Sequence, residues 1–433
     1  MIKRQWKSYP FKIKHLLLLI AFIVYVVLAI VIPPHFDFLC PWVAAVRITE
    51  GIPLYTQINL EEVIINGQAV KFPAHMPVYI YFLAFLILIF GNHMVVGKLF
   101  LVICAFIDAL LLEKIYPIEI KDHEEQNVFL KNLSLFFLYN PVIVGLTFLG
   151  FFEPFAIMFL LLPIHLSKFF THNDKRISYG TSLLAGLLLG IGFLTKWLPL
   201  IALPFLFWYG ITKKKYGEML SLGSVAVGLS GGLTLLLIQL YPDFLEAIFG
   251  FQITRGSFGI NLFTYLFEMD SVSNAILVSI VLCLCFLIYT FDISQNEQVS
   301  YIMYIGIAFA LFFCFYKIYF HHYIYWLTPF LLLLFGKLYT KKRLKASYLL
   351  VVTFIIQELL VSIWGNSETH HFLSPEFIQV FISFINHFCF LSYIFLFFKE
   401  RKFITKTNNE ILTKINPSSS EEEKQIDNLL PMD

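Results

Sequence analysis

About thirteen apolar runs joined by short polar segments dominate the chain, at residues 15–33, 76–90, 94–113, 133–149, 154–170, 181–195, 197–212, 219–241, 273–291, 300–317, 323–339, 347–364 and 377–398. Roughly twenty consecutive apolar residues carry a helix across the hydrocarbon core. In lipid every backbone polar group must be satisfied internally, so helices are the natural spanning unit. The expected fold is all-α: a polytopic transmembrane helical bundle. Composition agrees, because 58% of the 433 residues are hydrophobic and only 14% are charged, more apolar matter than a soluble core accounts for. A net charge of +2 gives no electrostatic basis for a nucleic-acid partner. Of the six cysteines, Cys104, Cys283, Cys285, Cys314 and Cys389 lie inside apolar runs. That leaves Cys40 near an aqueous face and indicates neither a disulfide framework nor a zinc site. The first run is too long for a signal-peptide core and has no small-residue cleavage site, so it is expected to remain as a span.

Orientation follows from the lysines and arginines, which favour the cytoplasmic side. Lys3, Arg4, Lys7, Lys12 and Lys14 place residues 1–14 there, as do Lys213–Lys215, Lys341–Arg343 with Lys345, and Lys399, Arg401 and Lys402. Both ends on one side require an even number of crossings, about twelve, so one run does not cross. The run 76–90, short and following the Pro73-Ala74-His75-Met76-Pro77 turn, is the best candidate and is expected to be a re-entrant or interfacial piece of the first outer loop. The division is then a cytoplasmic segment 1–14, a transmembrane domain 15–398 with outer loops 34–75 and 242–272, and a disordered cytoplasmic tail 399–433 carrying Ser418–Glu423. Runs 181–195 and 197–212 form a hairpin with Thr195-Lys196-Trp197 at its tip.

This topology gathers Asp37, His75, Glu153, Lys196, Arg255, His321 and His322 at the non-cytoplasmic face, as an active site requires. Asp37 follows the first span within His35-Phe36-Asp37-Phe38-Leu39-Cys40-Pro41-Trp42. An acid at that depth is costly and is a functional candidate; the alternative is that it only caps a short interfacial helix. His35 and Arg47 flank it as candidate substrate contacts. Glu153 precedes Pro154 at a tight turn, where it also suits a helix dipole. Lys196 and Arg255 are fixed cations of the kind a phosphate needs, or a snorkelling lysine and a solvated loop arginine. His321 and His322 are adjacent, so they point to different sides of a helix and do not share a metal by i, i+4 spacing. One of the two faces the cavity. His75, beside prolines, also reads as an ordinary loop residue. Nucleotide-binding loops, dinucleotide fingerprints and HExxH are missing, which disfavours nucleotide hydrolysis, redox chemistry and zinc proteolysis.

Asp37 followed by Glu50-Gly51-Ile52-Pro53-Leu54-Tyr55 resembles the first outer loop of the GT-C superfamily of polyprenyl-phosphate-sugar-dependent glycosyltransferases. Further similar stretches are Phe72-Pro73-Ala74-His75-Met76-Pro77-Val78-Tyr79, Asn140-Pro141 with Gly150-Phe151-Phe152-Glu153, Gly190 to Pro199, and His322 to Phe330. Together they cover about residues 30–335. Two departures stand out: His35-Phe36-Asp37 replaces an Asp-x-Asp pair, and Glu153 stands where relatives often have Asp. The resemblance implies a membrane mannosyltransferase-like enzyme. It would move a sugar, with mannose expected, from a polyprenyl- or dolichyl-phosphate donor to a lipid-linked or envelope glycan acceptor. Asp37 would be the general base of an inverting displacement, and Glu153 would orient the acceptor. His35, Arg47, His75, Lys196, Arg255, His321 and His322 would contact substrate. No cofactor is certain; a divalent cation, Mg or Mn, would take Asp37 and Glu153 as ligands. The expected location is a prokaryotic plasma membrane with the site facing outside. A lipid-linked glycan flippase without chemistry is the alternative, and it would place ionisable groups at several membrane depths.

Overall fold

The computed structural model describes residues 11–55, 63–65, 68–70, 76–119, 132–250, 258–259, 270–295, 299–316, 318–319, 321–340, 343–365 and 376–415. It is an all-helical bundle with four very short strands. In order, the first half comprises α1 (Phe11–Val31), α2 (Phe36–Thr49), β1 (Val63–Ile65), β2 (Gln68–Val70), α3 (Pro77–Phe90), α4 (Met94–Glu119), α5 (Leu133–Leu138), α6 (Pro141–Leu149), α7 (Glu153–Leu166), α8 (Lys175–Thr195) and α9 (Leu203–Thr212). The second half comprises α10 (Tyr216–Leu240), β3 (Phe258–Gly259), α11 (Ser271–Gln295), α12 (Tyr301–Phe315), β4 (Ile318–Tyr319), α13 (Ile324–Thr340), α14 (Leu344–Gly365) and α15 (Glu376–Ile415). The hairpin β1–β2 is antiparallel with Ile64 opposite Ala69, whereas β3 and β4 pair in parallel.

Among the described residues six helices are long and apolar enough to cross a membrane: Ile13–Val31, Met94–Pro117, Lys175–Thr195, Tyr216–Leu240, Ser271–Gln295 and Val380–Lys399. The protein is therefore an integral, multi-pass membrane protein. Other expected spans are interrupted. The run 133–149 breaks between α5 and α6, where Pro141 has no N–H for a continuous helix, and α6 meets α7 at a bend of 117°. Leu198–Thr212 begins as a 3-10 turn around Pro199 before α9.

Two sets of contacts mark the ends of the bundle. At one end the Lys14 ammonium on α1 meets Glu113 on α4 at 2.6 Å, and the Ser134 hydroxyl at the start of α5 donates to the same carboxylate. At the other, the Lys98 ammonium donates to the Ile32 carbonyl at 2.5 Å, and the His35 N–H donates to the Leu149 carbonyl at 2.8 Å. Both ends of the helix α3 make contacts at that second end. Its 14 residues reach only about 21 Å, short of the roughly 30 Å core. Tyr79 near its start stacks on Phe152, and just past its end Asn92 accepts from the Trp42 indole N–H at 2.9 Å. Gly91, at φ +81°, makes the turn into α4.

Small residues let helices approach closely in lipid, where no hydrophobic force drives them together. A Cβ on Gly186 of α8 would lie 2.5 Å from the Leu222 carbonyl of α10, so that contact is backbone on backbone. One expectation changes: α15 continues to Ile415, so 399–415 is helical and not a disordered tail. Its lysines, glutamates and Leu412 are good helix formers once the span has nucleated the helix. The Ser418–Glu423 tract lies outside the described residues.

Candidate active site

His35 ends the extended link after α1 and caps α2. Its Nδ1 accepts the Asp37 backbone N–H at 3.2 Å, which fixes the first turn and aims the Asp37 side chain. Because that nitrogen is an acceptor, its 3.4 Å approach to Asp37 Oδ2 is a contact and not an ion pair. Pro41 lies inside α2 and has no N–H for the Asp37 carbonyl four residues back.

Glu153 is delivered from the other side of the site by the turn between α6 and α7. Gly150 stands at φ +92°, and a Cβ there would lie 2.7 Å from the Phe38 ring, so only glycine fits both the backbone and the space. The Phe151 ring is held between the imidazoles of His35 and His322, at centroid distances of 4.7 and 5.0 Å. His322 sits in the 3-10 turn His321–Tyr323 that leads into α13. It stands between the two acids, with Nδ1 4.0 Å from Asp37 Oδ2 and Nε2 3.6 Å from Glu153 Oε1. Side-chain exposure falls along this line from 33% at Asp37 to 10% at His322 and 0% at Glu153, so the cluster opens at Asp37.

Lys196, the C-cap of α8, closes the row. Its ammonium donates to Glu153 Oε1 at 2.5 Å and faces the rings of Tyr323, Phe152 and Trp326 at 4.6, 4.9 and 5.7 Å. A buried carboxylate without a partner is costly. The fixed cation and the cage of ring faces hold this one. Three buried polar atoms around it have no hydrogen-bond partner among the described residues: Glu153 Oε2, the Tyr79 hydroxyl and the Trp326 indole nitrogen. Burial, with the neighbouring Asp37 carboxylate adding to it, pushes the Cys40 thiol up to about 12, so Cys40 stays protonated and is no nucleophile.

The sequence matches no protein-family model and no curated protein. The architecture, however, has solved counterparts. ArnT from Cupriavidus metallidurans bound to undecaprenyl phosphate is 14% identical, with a TM-score of 0.51 over 95% of this chain and 81% of that one. The same protein in the apo state is 12% identical, with a TM-score of 0.50 over 89% and 76%. The chain has a fold similar to that of ArnT. That agrees with the expected polytopic helical bundle.

Within this ArnT-like fold the structure brings together His35, Asp37, Glu153, Lys196 and His322. Arg47 lies in the last turn of α2, ten residues and about 15 Å along the helix from Asp37. His75 and Arg255 lie outside the described residues, although β3, three residues beyond Arg255, pairs with β4 just ahead of His321. The backbone of His321 opens the 3-10 turn, and its side chain lies outside the described set. Among the described residues no three His, Cys, Asp or Glu side chains are grouped to hold a metal ion. The space between Asp37 and Glu153 is filled by the His322 ring, and Lys196 already binds the Glu153 carboxylate. Sequence reasoning missed Tyr79, Phe151, Phe152, Tyr323 and Trp326. In so aromatic a chain they look like core, and only the Tyr323/Trp326 spacing, one helical turn apart, hinted at a shared face.

Proposed function

We propose that the protein is a membrane glycosyltransferase that moves a sugar, mannose in the first instance, from a polyprenyl-phosphate carrier to a lipid-linked or cell-envelope glycan. The observation that carries this reading is the meeting of Asp37 and Glu153 on either side of His322. It occurs in a fold similar to a protein solved with undecaprenyl phosphate. Asp37, the exposed member, accepts the proton of the acceptor hydroxyl. The acceptor oxygen forms its bond to the anomeric carbon as the bond to the polyprenyl phosphate oxygen breaks, which inverts that carbon in one displacement. His322 beside Asp37 stabilises the carboxylate before transfer and the leaving phosphate as charge develops. Lys196, released in part from Glu153, and Arg255 add to that stabilisation. The partnerless Tyr79 hydroxyl, Trp326 indole N–H and Glu153 Oε2 are the groups that orient substrate hydroxyls. The positive-inside pattern supports an outward-facing site, in a prokaryotic plasma membrane on this reading.

A lipid-glycan flippase without chemistry is the competing reading. It draws on the acids at other depths, Asp108, which accepts from the Tyr325 hydroxyl, and Glu358, which accepts from the Asn140 amide. Membranes containing wild-type or Asp37→Asn protein, supplied with radiolabelled polyprenyl-phosphate mannose and extracted glycolipid acceptors, separate the two. Loss of a general base lowers transfer by about a hundredfold or more. Transfer at the wild-type rate in the variant removes Asp37 as base.

A further inference from the structure

At the end of the bundle away from Asp37, two basic side chains meet and a third, Lys114, acts on both, with no acid at the cluster among the described residues. Lys114 lies near the C-terminal end of α4. His165 lies in the last turn of α7, and Lys168 in the 3-10 turn Ser167–Phe169 that follows. The Lys168 ammonium lies 3.0 Å from His165 Nε2 and 4.7 Å from the centre of the Phe169 ring. The charged neighbours that act on His165 are Lys168 and Lys114, and the one that acts on Lys168 is Lys114. Other lysines of the bundle behave differently: Lys14 meets Glu113, Lys196 meets Glu153 and Lys215 meets Glu218. Glu113, the sequence neighbour of Lys114, is turned toward Lys14 and Ser134. Among the described residues this cluster lacks a counter-ion of its own.

Its depth indicates what supplies one. Both lysines are exposed and stand at the ends of apolar helices, Met94–Pro117 and Glu153–Phe169. Leu110, one turn back from Lys114 on the same helix face, is 49% exposed. An exposed leucine directly beside an exposed lysine marks the level where acyl chains give way to head groups, and basic pockets at that level attract anionic lipids. We infer that Lys114, His165 and Lys168 form a binding site for the phosphate of an anionic phospholipid head group. The two ammonium groups supply charge to the phosphate oxygens. This site is separate from the Asp37 cluster and does not depend on the transferase reading.

The test uses the full-length protein in a neutral detergent, titrated with phosphatidylglycerol or phosphatidylcholine, with bound lipid counted by native mass spectrometry. Wild-type protein retains phosphatidylglycerol in preference to phosphatidylcholine. Lys114→Gln and Lys168→Gln each weaken that retention about fivefold, following the usual contribution of one cation near an anionic surface. The Lys114→Arg/Lys168→Arg protein keeps it, which separates loss of charge from loss of fold. Lys213→Gln, which removes a lysine from the α9–α10 joint, leaves retention unchanged. Equal retention by the glutamine variants overturns the site, as does an equal loss in Lys213→Gln. Complete displacement of phosphatidylglycerol by inorganic phosphate overturns the lipid as its source.

Discussion

Lys196 and Glu153 show at the scale of single residues how an enclosed charge is held. Removing one partner of a buried ion pair leaves the other desolvated and uncompensated, at a cost of about 3–5 kcal/mol. Lys196→Met is therefore expected to lower the thermal unfolding midpoint of the detergent-solubilised protein sharply. The double variant Glu153→Gln/Lys196→Met recovers most of the loss, because neither side chain then carries charge. A double variant no more stable than Lys196→Met would show that the pair itself is not what the lysine holds. Gly150 is the other sensitive position. Alanine there must keep φ near +92° and push its Cβ against the Phe38 ring. Gly150→Ala should cost about 1–3 kcal/mol, readable in the same melting experiment, and should loosen the turn that carries Glu153. His322→Ala tests the chemistry at this scale. With the imidazole between the acids gone, transfer in the labelled-donor assay should fall well below wild type, while His322→Gln keeps the volume and still loses activity.

Elements are held by a few polar and small-residue contacts, because hydrophobicity does not discriminate among helices in lipid. The contact of α8 with α10 depends on Gly186 lying against the Leu222 carbonyl. Gly186→Val forces the two helices apart and is expected to destabilise by about 1–3 kcal/mol. An unchanged melting temperature would show that the close approach is not required. The break before α6 is organised by Asn140, whose side-chain oxygen accepts from the N–H groups of Val142 and Ile143 while its amide donates to Glu358. Asn140→Ala removes the cap, worth about 1 kcal/mol, and also strips Glu358 of that donor. Asn140→Asp, which caps equally well but opposes the Glu358 carboxylate, should be no better. Breaks of this kind were only partly legible in the sequence. Pro141 marks a helix start, but nothing local states that Leu133–Leu138 and Pro141–Leu149 form two helices.

At the scale of the whole molecule the arrangement makes a sided prediction. Pro33 and His93 lie at the end of the bundle that carries the Asp37 cluster, and Lys114 lies at the opposite end. In a background with the exposed Cys283 replaced by serine, Pro33→Cys and His93→Cys should react with a membrane-impermeant thiol reagent from one side of sealed vesicles. Lys114→Cys should react from the other. Labelling of Pro33→Cys and His93→Cys from opposite sides would mean that α3 crosses the bilayer.

The sequence by itself determined the class and singled out candidate site residues. Long apolar runs have no solution other than membrane helices, and the few charged residues between them, Asp37, Glu153, Lys196 and His322, stand out because charge is expensive there. It also makes 76–90 the candidate for a run that does not cross, on its length. Only the tertiary structure decided which charges touch: that Lys196 binds Glu153, that His322 separates the two acids, and that three rings enclose the lysine. Those pairings join residues far apart in the chain, and their distances are set by helix packing and by turns such as Gly150, which leave no periodic trace along the sequence.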